Sequence, residues 1–293
     1  MKNRKQHVIH TARQLFIDKG FQKTSIQDIL DSSGIAKGTF YNYFASKNEL
    51  LMAIFQTIYD KLEQDRNELM IGRNPESIDI FIKQIAMQME VNRTYMLSSL
   101  YEEVFFSNDM ELKQFLQNGQ LKMINWLYHR FIDLFGESKR DYLVDCAVMF
   151  LGILHQSFKY YSMLHHSAAN IDRVVVYSVS RLIHIVEGIP DDNEPLIRPE
   201  TLSRVLNSKK NSSSSQQKLK SVMAALKKSL LVTEHADKYA ELLDFIQEEL
   251  SPGKPARRFL VESAILSIKS DSRLDATVRA ELEKLEKHLQ VDA

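Results

Sequence analysis

Cysteine, proline and glycine are scarce in this sequence. Its 293 residues include one cysteine, six prolines and nine glycines. A single cysteine, Cys146, excludes an internal disulfide framework and is typical of proteins of the reducing cytoplasm. It lies in an apolar run, which favours a buried hydrophobic role over a reactive thiol. Because few residues favour tight turns, we expect a mostly helical fold.

Long hydrophobic runs are missing as well. No apolar stretch approaches the ~18 residues that a membrane-spanning helix requires, and the N-terminus lacks the apolar segment of a signal peptide. We therefore expect a cytoplasmic protein that has no membrane partner.

The signatures of common enzyme and cofactor sites are absent too. The sequence contains no G-x-S-x-G, Walker loop, H-E-x-x-H, C-x-x-C or Rossmann glycine pattern. Its histidines show no i, i+4 pair and no nearby cysteine, so metal ligation is not expected. We predict no catalytic residue, no metal and no cofactor; the weakest alternative is an enzyme with an unrecognised site in an apolar cavity.

The net charge of the whole chain is zero, but the charge is unevenly distributed. Residues 1–50 hold eight Lys and Arg against four Asp and Glu, a net +4, so the remaining residues carry −4. A basic N-terminal domain on an acidic body can contact phosphates without making the whole protein bind polyanions.

The most informative stretch is Ser25–Leu50, S-I-Q-D-I-L-D-S-S-G-I-A-K-G-T-F-Y-N-Y-F-A-S-K-N-E-L. Ser25 with Asp28, and Ser46 with Glu49, have the spacing of capping boxes that begin helices. Gly34 separates two short helices, and the second, starting near Lys37, carries lysine, threonine and tyrosine. This pattern predicts a helix-turn-helix that reads DNA.

The same stretch, continued to K-N-E-L-L, resembles the DNA-binding signature of the TetR/AcrR family of bacterial transcriptional regulators. The resemblance covers about residues 5–55, under a fifth of the chain. It implies that nine residues lie at positions that commonly face DNA: Thr24, Ser25, Lys37, Gly38, Thr39, Tyr41, Asn42, Tyr43 and Lys47.

The residue types support most of these assignments. Lys37 can bind a phosphate or a guanine edge, Gly38 allows close approach of the backbone, and Thr39 can contact a base edge. Tyr41 and Tyr43 have two interpretations, packing against the first helix or contact with phosphates and thymine methyl groups. Lys47 is expected to bind a phosphate, whereas capping alone would explain Ser25.

Residues 51–188 keep a helical pattern throughout, and the resemblance implies a regulatory and dimerisation domain. The last two helices, near 141–165 and 171–187, are apolar over more than one face, so they must be buried on two sides. The resemblance implies that they pair with their copies in a homodimer. The expected interface residues are Phe150, Leu154, Tyr161, Val175, Val179, Leu182 and Val186.

Soft and aromatic side chains are frequent in this body, and ordinary core packing explains any single one of them. As a set they suit a cavity for a small hydrophobic effector. The candidate lining residues are Met87, Tyr101, Phe105, Trp126, Met149 and Phe158.

The composition changes after Gly188. Residues 189–217 include three prolines and the run N-S-K-K-N-S-S-S-S-Q-Q, which predicts an extended and disordered linker. Residues 218–293 carry amphipathic helical segments beyond the usual end of the resembled family. They have three possible roles: to cap the body, to extend the dimer interface or to form a protein-docking bundle.

The sequence therefore predicts an all-α protein with a helix-turn-helix domain at 1–50, a helical body, a linker and an extra C-terminal helical segment. The expected function is that of a homodimeric repressor that binds double-stranded, palindromic operator DNA and that an effector releases. The alternatives are an activator, a ligand-independent regulator, and an interaction protein that works through its C-terminal helices.

Overall fold

A computed structural model describes residues 2–105, 109–165, 170–190, 194–230, 236–250, 257–271 and 274–291. Within these ranges the chain forms thirteen α-helices and one 3₁₀ helix and contains no strand, which confirms the predicted all-α class. The chain divides into two compact units, Met1–Ser203 and Arg204–Ala293.

The first unit begins with the predicted helix-turn-helix and continues into the helical body. Its helices are α1 (Lys2–Lys19), α2 (Ile26–Ser33), α3 (Lys37–Tyr43), α4 (Lys47–Glu68), α5 (Ile78–Thr94), α6 (Leu97–Phe105), α7 (Met110–Phe135), a 3₁₀ helix (Glu137–Tyr142), α8 (Leu143–His165) and α9 (Ile171–Glu187). Helix α10 (Pro199–Leu230) starts in the first unit and continues into the second, which also holds α11 (Ala236–Glu249), α12 (Arg258–Lys269) and α13 (Ala276–Val291).

Two glycines end helices where the sequence pattern places them. Gly34 follows α2 with a φ of +64°, and its N–H donates to the carbonyl of Leu30 at 2.9 Å. Gly136 follows α7 with a φ of +81° and donates to Ile132. Both φ values lie in the left-handed region, which glycine adopts without strain.

One hydrophobic core joins the helix-turn-helix to part of the body. It contains Phe16 of α1, Phe40 of α3, and Leu50 and Phe55 of α4. Leu100 of α6 and other residues of α6 and α7 lie in the same core. The sequence analysis did not identify α6 as a separate helix. The N-terminal domain is therefore packed onto the body and shares a core with it.

The rest of the body packs α8 against α9, α7 and α5. Phe81 of α5, Phe131 of α7 and Phe150 of α8 are fully buried, with ring centroids 5.6 to 5.9 Å apart. Aromatic pairs at such distances add directional contact to the burial of area. This contact between α5, α7 and α8 fixes which face of α8 is turned inward.

The prediction of an extended, disordered linker at 189–217 is wrong from Pro199 onward. The structure has one continuous helix, α10, from Pro199 through the serine run to Leu230. Proline is favourable at the first helical position, and neither glycine nor proline interrupts residues 200–230. Serine and asparagine are weak helix formers, not helix breakers, so the helix passes through them.

The second unit has a core of its own. Leu226, Leu243, Ile265 and Leu282, one from each of α10 to α13, are completely or almost completely buried in one cluster. Lys227 binds Asp244 at 2.6 Å, and an ion pair of 2.7 Å joins Lys269 to Glu286. The helices of this segment are therefore stabilised by contacts with one another.

A search of the described residues finds no helix long and apolar enough to cross a membrane.

Candidate nucleic-acid interface

Helix α2 begins with the predicted capping box. The Ser25 hydroxyl oxygen accepts from the backbone N–H of Asp28 at 3.0 Å, and the Asp28 carboxylate accepts from the N–H of Ser25 at 2.8 Å. The Ser25 hydroxyl also donates to this carboxylate at 2.6 Å, and Lys19 lies 3.0 Å from it. These donors, Ser25 first and Lys19 after it, hold the pKa of Asp28 well below its ordinary value.

The box predicted at Ser46 differs in one bond. Ser46 caps α4 by accepting from the N–H of Glu49 at 3.0 Å, as expected. The Glu49 carboxylate, however, accepts from the N–H of Ala45 at 2.6 Å, one residue before the cap. The bond still satisfies a free backbone donor at the end of the α3–α4 turn.

Helix α3 is anchored by two aromatic residues one turn apart. Phe40 and Phe44 are buried in the shared core, with ring centroids 5.8 Å apart. Successive residues turn by 100° around a helix, so burial of this side directs positions 38 and 42 to the opposite side and position 41 to its flank. Lys37, at the first position of the helix, is exposed as well.

The outward face of α3 consists of Lys37, Gly38, Tyr41 and Asn42, all of them exposed. Tyr41 exposes 46% of its surface although it is a large aromatic residue. Residues 32–48 contain no Asp or Glu, so no acidic side chain of this stretch opposes the charge of Lys37. The face offers a cation, a phenol, an amide and a bare backbone, which are groups that read base edges and phosphates.

Gly38 is not required by the fold. A Cβ atom added at this position would have no described atom within 4 Å, and the residue sits inside a helix without a positive φ. Glycine in a helix costs roughly 0.5–1 kcal/mol relative to alanine. The intramolecular contacts therefore give no reason for glycine here, whereas close approach of a partner does.

Thr39 and Tyr43, also predicted to contact DNA, are only half-buried. Tyr43 lines an open cleft of about 430 Å³ between α1, α3 and α4, with Ile9 and Ala53 among its neighbours. Tyr43 therefore packs partly against the core, whereas Tyr41 is exposed; contact of either tyrosine with DNA stays a prediction.

Thr24 was predicted to contact DNA, but its side chain lies inside the fold. Its side chain is completely buried, and its hydroxyl donates to the carbonyl of Gly20 at 2.8 Å. This bond fixes the turn between α1 and α2. The side chain has no path to a phosphate, so only Ser25, exposed at the start of α2, is placed at the surface.

Lys47, also predicted to contact DNA, forms hydrogen bonds within its own domain. Its ammonium donates to the carbonyls of Phe21 at 2.8 Å and Thr24 at 2.9 Å and lies 4.4 Å from the centre of the Phe21 ring. Burial lowers the pKa of Lys47, and the nearby carboxylate of Glu103 partly opposes this shift. The lysine ties the start of α4 to the α1–α2 turn. It is only half-buried, and its contact with a phosphate stays a prediction.

Two side-chain hydrogen bonds of the described residues connect this domain to the body, and neither was predicted from the sequence. Glu103 of α6 accepts from the backbone N–H of Gln22 at 2.8 Å. Asn48 of α4 donates to the carboxylate of Asp109 at 2.5 Å, and Asp109 also caps α7. The partners are 81 and 61 residues apart in sequence. No local motif indicates such pairs.

The six residues predicted to line an effector pocket do not share one environment. Tyr101 stacks on Phe55 at 5.4 Å, and its hydroxyl lies 2.6 Å from that of Tyr59, close to the DNA-binding helices. Trp126 stacks on Phe81 at 6.3 Å, deeper in the body. The other four are half-buried or exposed: Met87 and Phe158 are half-buried, and Phe105 and Met149 are exposed.

The predicted dimer-interface residues are almost all inside the protomer. Six of the seven are buried within the chain itself, and the seventh, Tyr161, is half-buried; the buried residues are Phe150, Leu154, Val175, Val179, Leu182 and Val186. They therefore form the core between α8, α9 and their neighbours. The same two helices expose other apolar side chains, among them Val148, Met149, Val176 and Tyr177.

Comparison with known proteins agrees with this architecture. The family model for bacterial regulatory proteins of the tetR family matches residues 8–54, the part of the chain that contains α2, α3 and the start of α4. An HTH-type transcriptional regulator from the lacX 3′ region of Lactococcus lactis is 43% identical over 54 residues, covering 18% of this chain and 28% of that protein.

A longer relative is the HTH-type transcriptional regulator YerO of Bacillus subtilis. It is 27% identical over 265 residues, covering 88% of this chain and 87% of YerO. Residues 1–203 alone could not provide this coverage, so the alignment extends into the second unit. The C-terminal helices thus have a counterpart in at least one relative.

A solved structure gives the same fold. A protein of Syntrophomonas wolfei described as a TetR-family transcriptional regulator superposes with a TM-score of 0.51 at 23% identity, covering 66% of this chain and 99% of that chain. With the helix-turn-helix geometry, the sequence match shows that residues 8–54 carry the DNA-binding domain of bacterial tetR-family regulatory proteins, and the comparisons support a DNA-binding transcriptional regulator.

Proposed function

We propose that the protein is a homodimeric repressor that reads a palindromic operator through α3 and that a small molecule releases from DNA. The observation that carries the proposal is the outward face of α3, formed by Lys37, Gly38, Tyr41 and Asn42. A helix of seven residues reads few base pairs, so useful specificity requires two copies.

The exposed apolar side chains of α8 and α9 support the second copy. Val176 and Tyr177 of α9 are 50% and 53% exposed, and Val148 and Met149 of α8 are 41% and 42% exposed. Each pair consists of two neighbouring exposed positions on its helix, and α8 packs against α9. We propose these outward faces as the dimer interface in place of the buried residues.

The dimer is tested by placing a charge on this face. Val176→Glu is expected to convert a dimer into a monomer in analytical ultracentrifugation and to weaken operator binding. Phe259→Glu, at a 78% exposed position of α12, is the matched control and should sediment like the wild type. A Val176→Glu protein that remains dimeric with unchanged affinity would show that another face forms the interface.

Operator reading is tested on DNA from upstream of the protein's own gene. Footprinting should give a protected inverted repeat with half-sites one helical turn apart, about 34–36 Å. Sedimentation should show two chains for each repeat. One asymmetric protected site that holds a single chain would contradict the dimeric mechanism.

A repressor and an activator would use the same face of α3, so transcription itself must separate them. We expect deletion of the gene to raise transcription from the promoter that carries the operator. A fall in transcription would identify an activator. If no small molecule releases the protein from DNA, the result favours ligand-independent regulation.

A further inference from the structure

Arg66, near the end of α4, is a cation in apolar surroundings. Its guanidinium lies over the ring of Trp126 at 4.1 Å, and its Nη1 donates to the sulfur of Met123, a weak acceptor, at 3.7 Å. Its Nε is out of solvent contact and has no hydrogen-bond partner in the described part of the chain. No carboxylate of the described residues lies within ion-pair distance, 4 Å, of it.

Arg66 as a residue is half-buried, and the part of its guanidinium that lies out of solvent contact, Nε, lacks a partner among the described residues. A buried charge is costly unless an opposite charge or hydrogen bonds compensate for it. Burial lowers the pKa of Arg66, and the charge of Glu63 opposes this shift only from a distance. The face of the Trp126 ring attracts the guanidinium through its quadrupole and so compensates in part for the lost hydration. The ring accepts no hydrogen bond in its plane.

A second arginine lies close to the same group. Arg130 of α7 is 5% exposed, and its Nε donates to the side chain of Gln84, whose amide in turn donates to the carbonyl of Arg66. Its Nη2 is buried without a partner among the described residues, although its Nη1 binds Asp133 at 2.9 Å.

The two cations are connected through two stacked rings. Arg130 lies 5.9 Å from the ring of Phe81, which stacks on Trp126 at 6.3 Å, and Arg66 covers the other ring. This apolar cluster therefore contains, among the described groups, two buried guanidinium N–H donors without a partner. It contains one carboxylate, that of Asp133. The cluster has excess positive charge and free donors, which an anion would satisfy.

We propose that this cluster is the effector site and that the effector is an anionic amphiphile. Its carboxylate or phosphate binds the guanidinium of Arg66, and its apolar part packs against Trp126 and Met123. The inference rests on the proposed release by a small molecule and specifies the chemical class of that molecule. A neutral hydrophobic compound would leave the donors of Arg66 unsatisfied and should bind more weakly.

The position of Arg66 relates this site to DNA binding. It belongs to α4, the helix that begins at Lys47 and Asn48 against the DNA-reading domain. An anion that binds Arg66 acts directly on this helix. Release of DNA requires a second position of α4, and only a ligand that binds the two positions with different affinities can shift the equilibrium between them.

Trp126 provides the test, because it is the only tryptophan of the chain and lies in contact with Arg66. The full-length protein is titrated with dodecanoate, dodecyl phosphate and 1-dodecanol, each below its micelle-forming or solubility limit. We expect a saturable change in tryptophan emission with at least one of the two anions. The alcohol, which has the same chain length, should bind at least about tenfold more weakly.

Substitution of the arginine gives the second comparison. Arg66→Met should weaken binding of the anion at least about tenfold and leave binding of the alcohol unchanged, while Arg66→Lys should retain part of the selectivity for anions. Arg93→Met, at an exposed position of α5 paired with Glu90, is the control and should bind like the wild type.

Three outcomes would overturn the proposal: equal binding of the alcohol and the anions, no binding of either anion, or unchanged anion binding in Arg66→Met. If Arg66→Met fails to fold, Arg66→Lys and the wild-type comparison still decide. Binding is measured without DNA, so its outcome is separate from that of release. An anion that binds Arg66 and leaves the operator complex intact supports the site and contradicts release.

Discussion

Gly38 is the residue of α3 for which folding and function make opposite demands. An added Cβ would meet no described atom of the protein, and alanine is the better helix former. Gly38→Ala should therefore raise the free energy of unfolding by about 0.5–1 kcal/mol, measured by urea denaturation. The same variant should bind operator DNA more weakly, since a methyl group would separate the helix backbone from the duplex.

The variant serves as its own control, because a general loss of structure would lower stability and affinity together. Tighter or unchanged DNA binding in a stabilised Gly38→Ala protein would mean that this backbone does not approach DNA closely.

Asp28 makes α2 sensitive to acid. Its pKa lies below the ordinary value of 3.8 because Ser25 and Lys19 stabilise the carboxylate in the folded state. Its stabilising contribution is complete above that value and is lost as the pH falls below it and the group becomes protonated. The wild type should lose stability below about pH 4 more steeply than Asp28→Asn.

The measurement is the free energy of unfolding between pH 2.5 and 6. Asp31→Asn, one turn further along the same helix and bonded through its side chain to Gln27, is the control and should retain the slope of the wild type. Parallel curves for the wild type and Asp28→Asn would show that the capping carboxylate does not cause the loss of stability in acid.

What the sequence predicts at this scale depends on the distance between partners. The bonds between Ser25 and Asp28 span three residues and were predicted correctly. Lys47 binds the carbonyl of a residue 26 positions earlier, and the hydroxyl of Thr24 points into the fold. The family pattern carries no information on where a side chain points, so it could not indicate that Thr24 is buried or that Lys47 bonds within its own domain.

At the level of elements, α6 is the helix that fastens the DNA-binding domain to the body. Glu103→Gln removes the charge that accepts from Gln22 and lies near Lys47. Because hydrogen bonds to a charged group contribute about 1.5–3 kcal/mol, the variant should lose roughly 1 kcal/mol or more of stability. Urea denaturation measures this loss, with Glu102→Gln at the exposed neighbouring position as the control.

Equal stabilities of Glu103→Gln and Glu102→Gln would show that the contact with the α1–α2 turn contributes little. If Glu103→Gln also changes the affinity for DNA, α6 takes part in the connection between body and operator.

Helices α8 and α9 show where an apolar pattern gives no answer. Both are apolar over more than one face, so the sequence predicts burial on two sides but not which side faces the protomer. Phe150 and Val175 were assigned to the dimer interface, yet they pack inside. The choice depends on the partner helices α5 and α7, which periodicity alone does not reveal. The ends of both helices, in contrast, were predicted closely, because local residues determine where a helix begins and ends.

At the scale of the whole molecule, the second unit is expected to unfold separately from the first. Leu243 is completely buried in its core, and truncation of such a leucine costs about 2–5 kcal/mol. Leu243→Ala should therefore add or advance an early transition in circular dichroism. The fluorescence transition of Trp126, which lies in the first unit, should not move.

Leu266→Ala, at a 62% exposed position of α12, is the control. Operator affinity of Leu243→Ala should remain that of the wild type under conditions in which the first unit stays folded. A coincident shift of both transitions, or loss of DNA binding, would mean that the C-terminal helices support the DNA-binding unit.

The most direct test of the account is fluorescence anisotropy on operator DNA across a salt series. Lys37→Ala and Tyr41→Ala are compared with the wild type and with Lys61→Ala, an exposed lysine on α4 paired with Asp65. Each α3 variant should lose about 1–3 kcal/mol of binding free energy, and Lys37→Ala should also reduce the salt slope by about 1 if it contacts a phosphate. Lys61→Ala should match the wild type. Affinities that Lys37→Ala and Tyr41→Ala leave unchanged would contradict the claim that the outward face of α3 reads DNA.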